Sequence, residues 1–186
     1  MKQALQQALK KDLKKNSATD PSHALLHQAR ELGHEARAQL NDHDSLKLWL
    51  RLLACTTQIE TEIRRRLRSG FGISLARFDY MAQLYRHRDG MKMKELSRCL
   101  MVTGGNVTGL TDELERDELV LREQDPADRR SSLVRLTPKG RRVFEAMARE
   151  HELWILELLG SLDASTVQQL YQSLGTLRVQ MVGNSV

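Results

Sequence analysis

The sequence predicts a mainly α fold with one small β-hairpin, on three observations. Apolar residues recur at helical spacing over six segments, and the breakers between these segments lie where helices end. Two short segments, 119–124 and 131–137, are rich in Leu and Val and alternate, which is typical of paired strands. The residues between these strands are typical of a tight turn. The predicted helices cover 45–69, 74–87, 92–99, 104–117, 138–160 and about 163–182.

Residues 1–43 are predicted to form a helical extension that precedes the body of the protein. Leu5, Leu9 and Leu13 recur every four residues among lysines, as in a short amphipathic helix. Ser22 is placed to cap a second helical pattern that follows a proline-containing breaker. Helices this short and polar do not fold alone, so we expect the extension to dock on the body or to remain mobile.

The body starts near Asp44 with the helix 45–69, whose pattern has no breaker before Gly70 and Gly72. The helix 74–87 follows and ends at an Asp-Gly pair. Both helices have broad apolar faces, so we expect them to pack against other parts of the body.

The next two helices, 92–99 and 104–117, are joined by a short turn, an arrangement that can place the second helix in the major groove of DNA. Thr103 can cap this second helix, Asn106 can donate and accept toward adenine, and Thr108 can contact thymine or a phosphate. Two glycines at the helix start cost about 1 kcal/mol each relative to alanine, which makes sense if the backbone approaches a phosphate or a base. An alternative interpretation makes the glycines part of the turn alone and Asn106 an exposed cap. The predicted DNA-facing residues are Gly104, Gly105, Asn106 and Thr108, with Gly109 and Thr111 following, and the predicted packing face is Val102, Val107, Leu110 and Leu114.

The hairpin tip, which starts at Asp125, carries two adjacent arginines, Arg129 and Arg130. Arginine is the usual probe of the narrow and negative minor groove of DNA. Asp128 can instead pair with one arginine and keep the tip rigid, and the sequence leaves open which arginine is structural. A polar helix beside an arginine-tipped hairpin favours DNA reading over catalysis. The further predicted DNA contacts are Lys94, in the first short helix, the cap residue Thr103, and Ser131, directly after the arginines.

Two helices complete the body. Pro138 suits the first position of a helix, with Thr137 as its cap, and this helix runs to Gly160. The last helix follows over about 163–182. Their apolar residues exceed what one small domain can cover, which predicts self-association. The residues in question are Trp154, Leu158, Leu162, Leu170 and Leu174.

Composition supports an anionic partner. The formal charge is +5 and the pI is about 9.4. Residues 120–142 hold seven basic and three acidic side chains, a local net charge of +4 that is typical of nucleic-acid binders, although a solvated basic face is the plainer alternative. Two distant cysteines, no apolar run of membrane-spanning length and no secretory h-region lead us to expect a cytoplasmic protein without a membrane partner.

The motif Asp125-Pro126-x-Asp128-Arg129-Arg130, followed by Val134-x-Leu136-Thr137-x-x-Gly140, resembles the wing signature of the MarR family of winged helix-turn-helix regulators. The stretch from Leu100 to Leu110, LMVTGGNVTGL, is similar to a subgroup found in operons for aromatic-compound degradation. The resemblance covers about 44–180. It implies a helix-turn-helix over 92–117, a wing over 119–137 and dimerisation helices over 45–69 and 138–182.

The resemblance also implies partners. A homodimer would bind double-stranded DNA at a pseudo-palindromic operator, with its recognition helices roughly 34–36 Å apart. Members usually act as repressors that a small molecule releases, and the subgroup points to an aromatic acid or its CoA thioester. No cofactor and no metal are expected.

Family ligands commonly bind between the dimerisation helices and the winged domain, which here corresponds to the helices 45–69 and 74–87. The apolar residues of these helices could form a pocket wall, and basic residues could meet a carboxylate. The same residues at helical spacing are equally typical of plain core. The candidate wall is Trp49, Leu53, Phe78, Met81 and Tyr85, and the candidate carboxylate partners are Arg51, Arg77, Arg86 and His87.

Four other functions are weighed against this one. A thiol switch would use Cys55 or Cys99, but both are expected to be buried and inert, without an activating pattern beyond Arg98. A metal site at His23, His27 and His34 lacks a matching carboxylate or cysteine. No catalytic or nucleotide-binding motif is present, so an enzyme is not expected. A pure protein-interaction module would leave the tip arginines without a purpose.

Overall fold

The fold is described from a computed structural model that covers residues 34, 37, 43–125 and 128–183, with the backbone alone at 125, 128–131 and 183. The predicted helices of the extension, and with them His23 and His27, lie outside these residues. The chain divides between Glu62 and Ile63 into two compact units, and each is described by itself.

The first long helix, α1 (Asp44–Phe71), spans the division between the units. It is longer than predicted, because Gly70 continues the helix and only Gly72, at a φ of +65°, ends it. Within the first unit Leu50 is buried, whereas Leu48 and Trp49 are exposed.

The second unit confirms the predicted order of helices and hairpin and adds one strand. Three helices begin at a side chain that accepts a backbone N–H: Ser74, Thr103 and Thr137. The caps predicted at Thr103 and Thr137 are therefore confirmed. The elements are α2 (Leu75–Arg86), β1 (Met91–Lys92), α3 (Met93–Leu100), α4 (Gly104–Arg116), β2 (Val120–Asp125), β3 (Asp128–Leu136), α5 (Pro138–Leu158) and α6 (Ala164–Gly183).

The hairpin belongs to a three-stranded antiparallel sheet in the order β1-β3-β2. β1 pairs Met91 with Val134, and Gly90 before it, at a φ of +93°, lets the chain pass close to β3. A side chain at Gly90 would place its Cβ 2.8 Å from the Val134 carbonyl oxygen. β1 could not be predicted from the sequence, because a strand of two residues leaves almost no periodicity.

The core of the second unit packs α2, α3 and α4 against the sheet and the first half of α5. Tyr80, Leu96, Leu114 and Met147 have no exposed surface. Gly140, at the start of α5, has no space for a side chain, because a Cβ there would lie 1.9 Å from the Leu119 carbonyl oxygen.

The end of α5 and the whole of α6 carry a row of exposed large apolar side chains. Large apolar side chains exposed in such number are unusual on the surface of a single chain. No helix in the described ranges is long and apolar enough to cross a membrane. The exposed residues include Leu153, Leu156, Leu162, Val167, Leu170, Tyr171, Leu174, Leu177 and Met181.

Candidate nucleic-acid interface

A rigid turn joins α3 to α4. The Ser97 hydroxyl donates to the Val102 carbonyl at 2.6 Å, and the Val102 N–H donates to the Ser97 carbonyl at 3.2 Å. Between these contacts Met101 adopts a left-handed backbone conformation with a φ of 53°. The turn thus sets the position of Thr103, which caps the N-terminus of α4.

The outer face of α4 consists of Gly104, Gly105, Asn106 and Thr108, and all four residues are exposed. A Cβ on either glycine would meet nothing within 4 Å, so the protein's own packing does not require these glycines. Thr108 donates its hydroxyl to the Gly104 carbonyl at 3.1 Å, which leaves its oxygen lone pairs and methyl group directed outward. This face is therefore uncharged, polar and open to close approach.

Thr111 was predicted to follow the DNA-facing residues, and that prediction is wrong. Its side chain is fully buried and shares a hydrogen bond of 2.5 Å with the Tyr80 hydroxyl. The helical spacing explains this, because Thr111 falls between the buried Val107 and Leu114. Burial raises the pKa of Tyr80, and the hydrogen bond with Thr111 opposes that rise.

The base of the hairpin differs from the outer face of α4 because its basic side chains pair with acids of the same chain. Arg122 reaches from β2 to α4, and the other two pairs tie neighbouring segments together. The local net charge of +4 therefore overstates the charge available to a partner. We call the following set the hairpin base: Arg122 with Asp112, Arg135 with Glu123 at 2.5 Å and Lys139 with Glu118 at 2.9 Å.

The backbone of the hairpin tip is described up to Asp125 and again from Asp128, with a register irregularity between Gln124 and Asp125. Arg129, Arg130 and Ser131 lie on β3, and their side chains fall outside the described residues. Lys94 is exposed in the first turn of α3. The predicted contacts at Arg129, Arg130 and Ser131 stay predictions.

The residues predicted for effector binding fall in both units. In the first unit Trp49 is exposed, and Arg51 and Leu53 are half-buried on α1. These three stay predictions from the sequence alone.

In the second unit the predicted wall of α2 is largely covered. Phe78 and Met81 are buried, and the half-buried Tyr85 donates its hydroxyl to Glu145 at 3.0 Å. The Phe144 ring lies 4.9 Å from the Tyr85 ring, and the Arg141 guanidinium lies 5.0 Å from the centre of the same ring. Of the three predicted wall residues on this helix, Tyr85 is therefore the one that keeps accessible surface.

Three basic residues were candidates for a carboxylate on α2. Arg77 forms an ion pair with Asp117, so its guanidinium is already occupied within the fold. The His87 ring lies 2.9 Å from the Gln83 carbonyl oxygen. Arg86 is exposed in the last turn of the helix.

Both cysteines were expected to be buried, and that expectation is wrong. Cys55 and Cys99 are free and exposed. Burial therefore gives no reason to call either thiol inert.

Comparison with known proteins agrees with this geometry. The model of the MarR family matches residues 73–132, which run from the start of α2 into β3. A solved MarR family transcriptional regulator from Silicibacter pomeroyi is 30% identical, with a TM-score of 0.65, and the match covers 77% of this chain and 99% of that one. The chain belongs to the MarR family. The predicted fold class is thereby confirmed, and the family is one of transcriptional regulators rather than enzymes.

Two further relatives indicate what other family members do. The transcriptional activatory protein BadR of Rhodopseudomonas palustris is 35% identical over 104 residues, which are 55% of this chain and 59% of BadR. A mutant MarR from E. coli, solved in complex with operator DNA, is 24% identical with a TM-score of 0.65 over 75% of this chain and 99% of that one, a likeness of fold. The match spans less than two thirds of the length of the first curated relatives, between 59% and 65%.

Proposed function

We propose that this member of the MarR family is a homodimeric transcriptional regulator that binds a pseudo-palindromic DNA operator and acts as a repressor released by a small molecule. The outer face of α4 is the observation that carries the proposal. It is exposed and polar, and it starts with two glycines for which the protein's own packing has no need. Such a face suits close approach to base edges in the major groove.

The DNA contacts that we propose divide into two kinds. Asn106 and Thr108 read base edges, whereas Lys94 holds a phosphate from α3. Arg129 and Arg130 enter the minor groove from the hairpin tip, and Ser131 contacts the backbone beside them. The exposure of Lys94, Asn106 and Thr108 supports the first group, and the course of the β3 backbone supports the second.

The homodimer is supported by the apolar rows on α5 and α6. A helix of 20 residues whose Leu170, Leu174 and Leu177 are all exposed in one chain needs a partner surface. A second copy supplies the same surface and buries both at once, as a two-fold interface requires. Two copies also give two recognition helices, which a palindromic operator demands.

For the effector we propose an aromatic acid or its CoA thioester. In the second unit, Tyr85 and Phe144 place two rings side by side with Arg141 over one of them, and Arg86 is exposed in the same helix as Tyr85. Aromatic faces beside guanidinium groups match the chemistry of an aromatic carboxylate. The similarity to BadR, whose name describes an activatory protein, makes activation the alternative sign of regulation.

A second candidate mechanism of release is oxidation of a thiol. The observation that favours it is the exposure of Cys55 and Cys99, which leaves both sulfurs open to an oxidant. This mechanism predicts that mild peroxide abolishes DNA binding and that a thiol reductant restores it. Cys99→Ser or Cys55→Ser should make DNA binding insensitive to peroxide.

The test of the main proposal is titration of labelled duplex from the region upstream of the gene, with a panel of aromatic acids and their CoA thioesters. We expect salt-dependent, sequence-specific binding that one compound relieves. Specific binding that only peroxide relieves would favour the thiol mechanism. Binding without any sequence preference would contradict the proposal that the protein is a transcriptional regulator.

A further inference from the structure

One exposed side chain beside the outer face of α4 has almost no packing contact with the described part of the protein. Met101 is 91% exposed, the highest value among the large apolar side chains of the described residues. Its backbone is left-handed, a conformation that L side chains other than Asn and Asp rarely adopt. A strained backbone and an apolar side chain in water are both unfavourable, and they occur here at one position.

The local hydrogen bonds explain why the backbone is left-handed but not why the residue is methionine. The Met101 N–H donates to the Arg98 carbonyl and the Val102 N–H to the Ser97 carbonyl, the pattern of a Schellman helix end. Glycine is the preferred residue at this point of the motif, because it reaches the left-handed region without steric cost. The fold alone would therefore select glycine.

The position of Met101 indicates what its side chain can reach. It stands two residues before the cap Thr103, so its Cα lies within roughly 8 Å of the Thr103 Cα. The bonds of Ser97 with Val102 keep the turn fixed and direct the methionine away from the core. Its exposed side chain therefore lies next to the N-terminal end of α4, the helix that carries Asn106 and Thr108.

We propose that Met101 is a specificity-determining residue that makes an apolar contact with the 5-methyl group of a thymine in the major groove. This inference rests on the proposed DNA-binding function and adds a contact to it. The thymine methyl is the one apolar group on the floor of that groove, and side-chain carbon atoms recognise it. A thioether chain is flexible and polarisable, so it can follow the methyl surface closely.

The test combines a change in the protein with a change in the DNA. Binding sites are first selected by the wild-type protein from a library of random duplexes. Each thymine of the selected site is then replaced by uracil, which removes only the methyl group, in both half-sites. The affinities of wild type, Met101→Gly and Met101→Leu are measured on every duplex, which gives a double-mutant cycle for each methyl group.

We expect one or two thymines at which uracil weakens wild-type binding roughly fourfold per half-site, the effect of one methyl group leaving an apolar contact. Met101→Gly should lose this preference, and Met101→Leu should keep most of it. Met101→Gly should melt at the same or a higher temperature than wild type, because glycine suits the left-handed turn. A change in affinity would then not come from unfolding.

Two outcomes overturn the inference while the regulator proposal survives. In one, the wild type selects a site but is indifferent to every uracil, and in the other Met101→Gly keeps the same uracil sensitivity at every position. Weaker dimerisation of Met101→Gly with an unchanged thymine preference would assign Met101 to a protein interface instead. A wild-type protein that selects no sequence would contradict the proposed function itself.

Discussion

The outer face of α4 and the hairpin base differ in the surroundings of their glycines and in the charges they carry. At the hairpin base, Gly140 has no space for a Cβ, and Arg122, Arg135 and Lys139 pair with acids of the same chain. On the outer face of α4, the glycines have open space around them, and no charged side chain belongs to the face. The first region is built to hold the fold together, and the second is built to be approached.

This difference shows that composition alone does not locate a binding surface. The hairpin base holds three basic side chains, yet each of them is paired with an acidic side chain of the same chain. The outer face of α4 carries no charge, and the packing of the protein itself does not require its glycines. Because the two regions differ in geometry, substitutions made in each of them test the contrast between them.

The largest effect is expected from Gly140→Ala. The new Cβ would overlap the Leu119 carbonyl oxygen, and the start of α5 or the segment that leads into β2 would have to move. We expect the free energy of unfolding to fall by at least about 3 kcal/mol, as for a severe overpacking change. Urea denaturation measures this directly. An unchanged midpoint would show that the close approach of Gly140 and Leu119 is not a constraint of the native state.

The next effect concerns the two kinds of arginine in the hairpin. The double change Arg129→Ala and Arg130→Ala should weaken operator binding by up to a few kcal/mol and lower the salt slope by about two. The matched control removes two positive charges from the hairpin base instead, with Arg135→Gln and Lys139→Gln. Because those charges are already paired, their removal should change the slope much less.

Equal slopes for the two double variants would contradict the contrast between tip and base. The measurement is fluorescence anisotropy on one duplex at several salt concentrations. A slope that falls only in the control would place the DNA against the hairpin base rather than its tip.

Particular residues show how far the sequence could predict this molecule. The helices, the hairpin and the caps at Thr103 and Thr137 were predictable because each has a local signature of spacing or residue type. Gly140 belonged to the family motif, but its reason is tertiary, since the contact with Leu119 joins separate elements. Local sequence patterns predict the helices, the hairpin and the caps. Residues such as Gly140 are explained only by contacts between elements, which local patterns do not contain.

The candidate site was predicted less completely, for the same reason. Thr111 is polar, so it was assigned to the DNA side, although its spacing from Val107 and Leu114 places it inside against Tyr80. Charges could be counted from the sequence, but the pairing of Arg122 with Asp112 depends on how β2 packs on α4. Met101 was not singled out from the sequence, because its distinguishing feature is that a methionine stands at a helix end where glycine is preferred.

Gly105→Ala is expected to have two smaller effects of opposite sign, a gain in stability and a loss of operator affinity. The new methyl group meets no atom of the protein, and alanine favours a helix by up to about 1 kcal/mol, so stability should rise. Operator affinity should nevertheless fall, by roughly tenfold or about 1.4 kcal/mol, if the backbone at Gly105 approaches DNA closely. Gly70→Ala in α1 is the matched control, since it also meets nothing within 4 Å. This control should gain stability without any change in operator affinity. Equal affinities of both variants and wild type would contradict a close approach of the Gly105 backbone to DNA.

The smallest effect is the acid sensitivity of the hairpin base. The Lys139 ammonium donates to Glu118 and holds the pKa of that carboxyl below its ordinary value of 4.5. Since the pKa is lower in the folded state, the stabilisation is fully present above pH 4.5 and is lost as the pH falls from there through the folded pKa. Thermal melts between about pH 6 and pH 3 should therefore show a slightly weaker acid dependence for Glu118→Gln than for wild type. Glu113→Gln, on an exposed carboxylate of α4, is the control, and identical acid profiles for wild type and Glu118→Gln would mean that the Lys139 pair contributes nothing in solution.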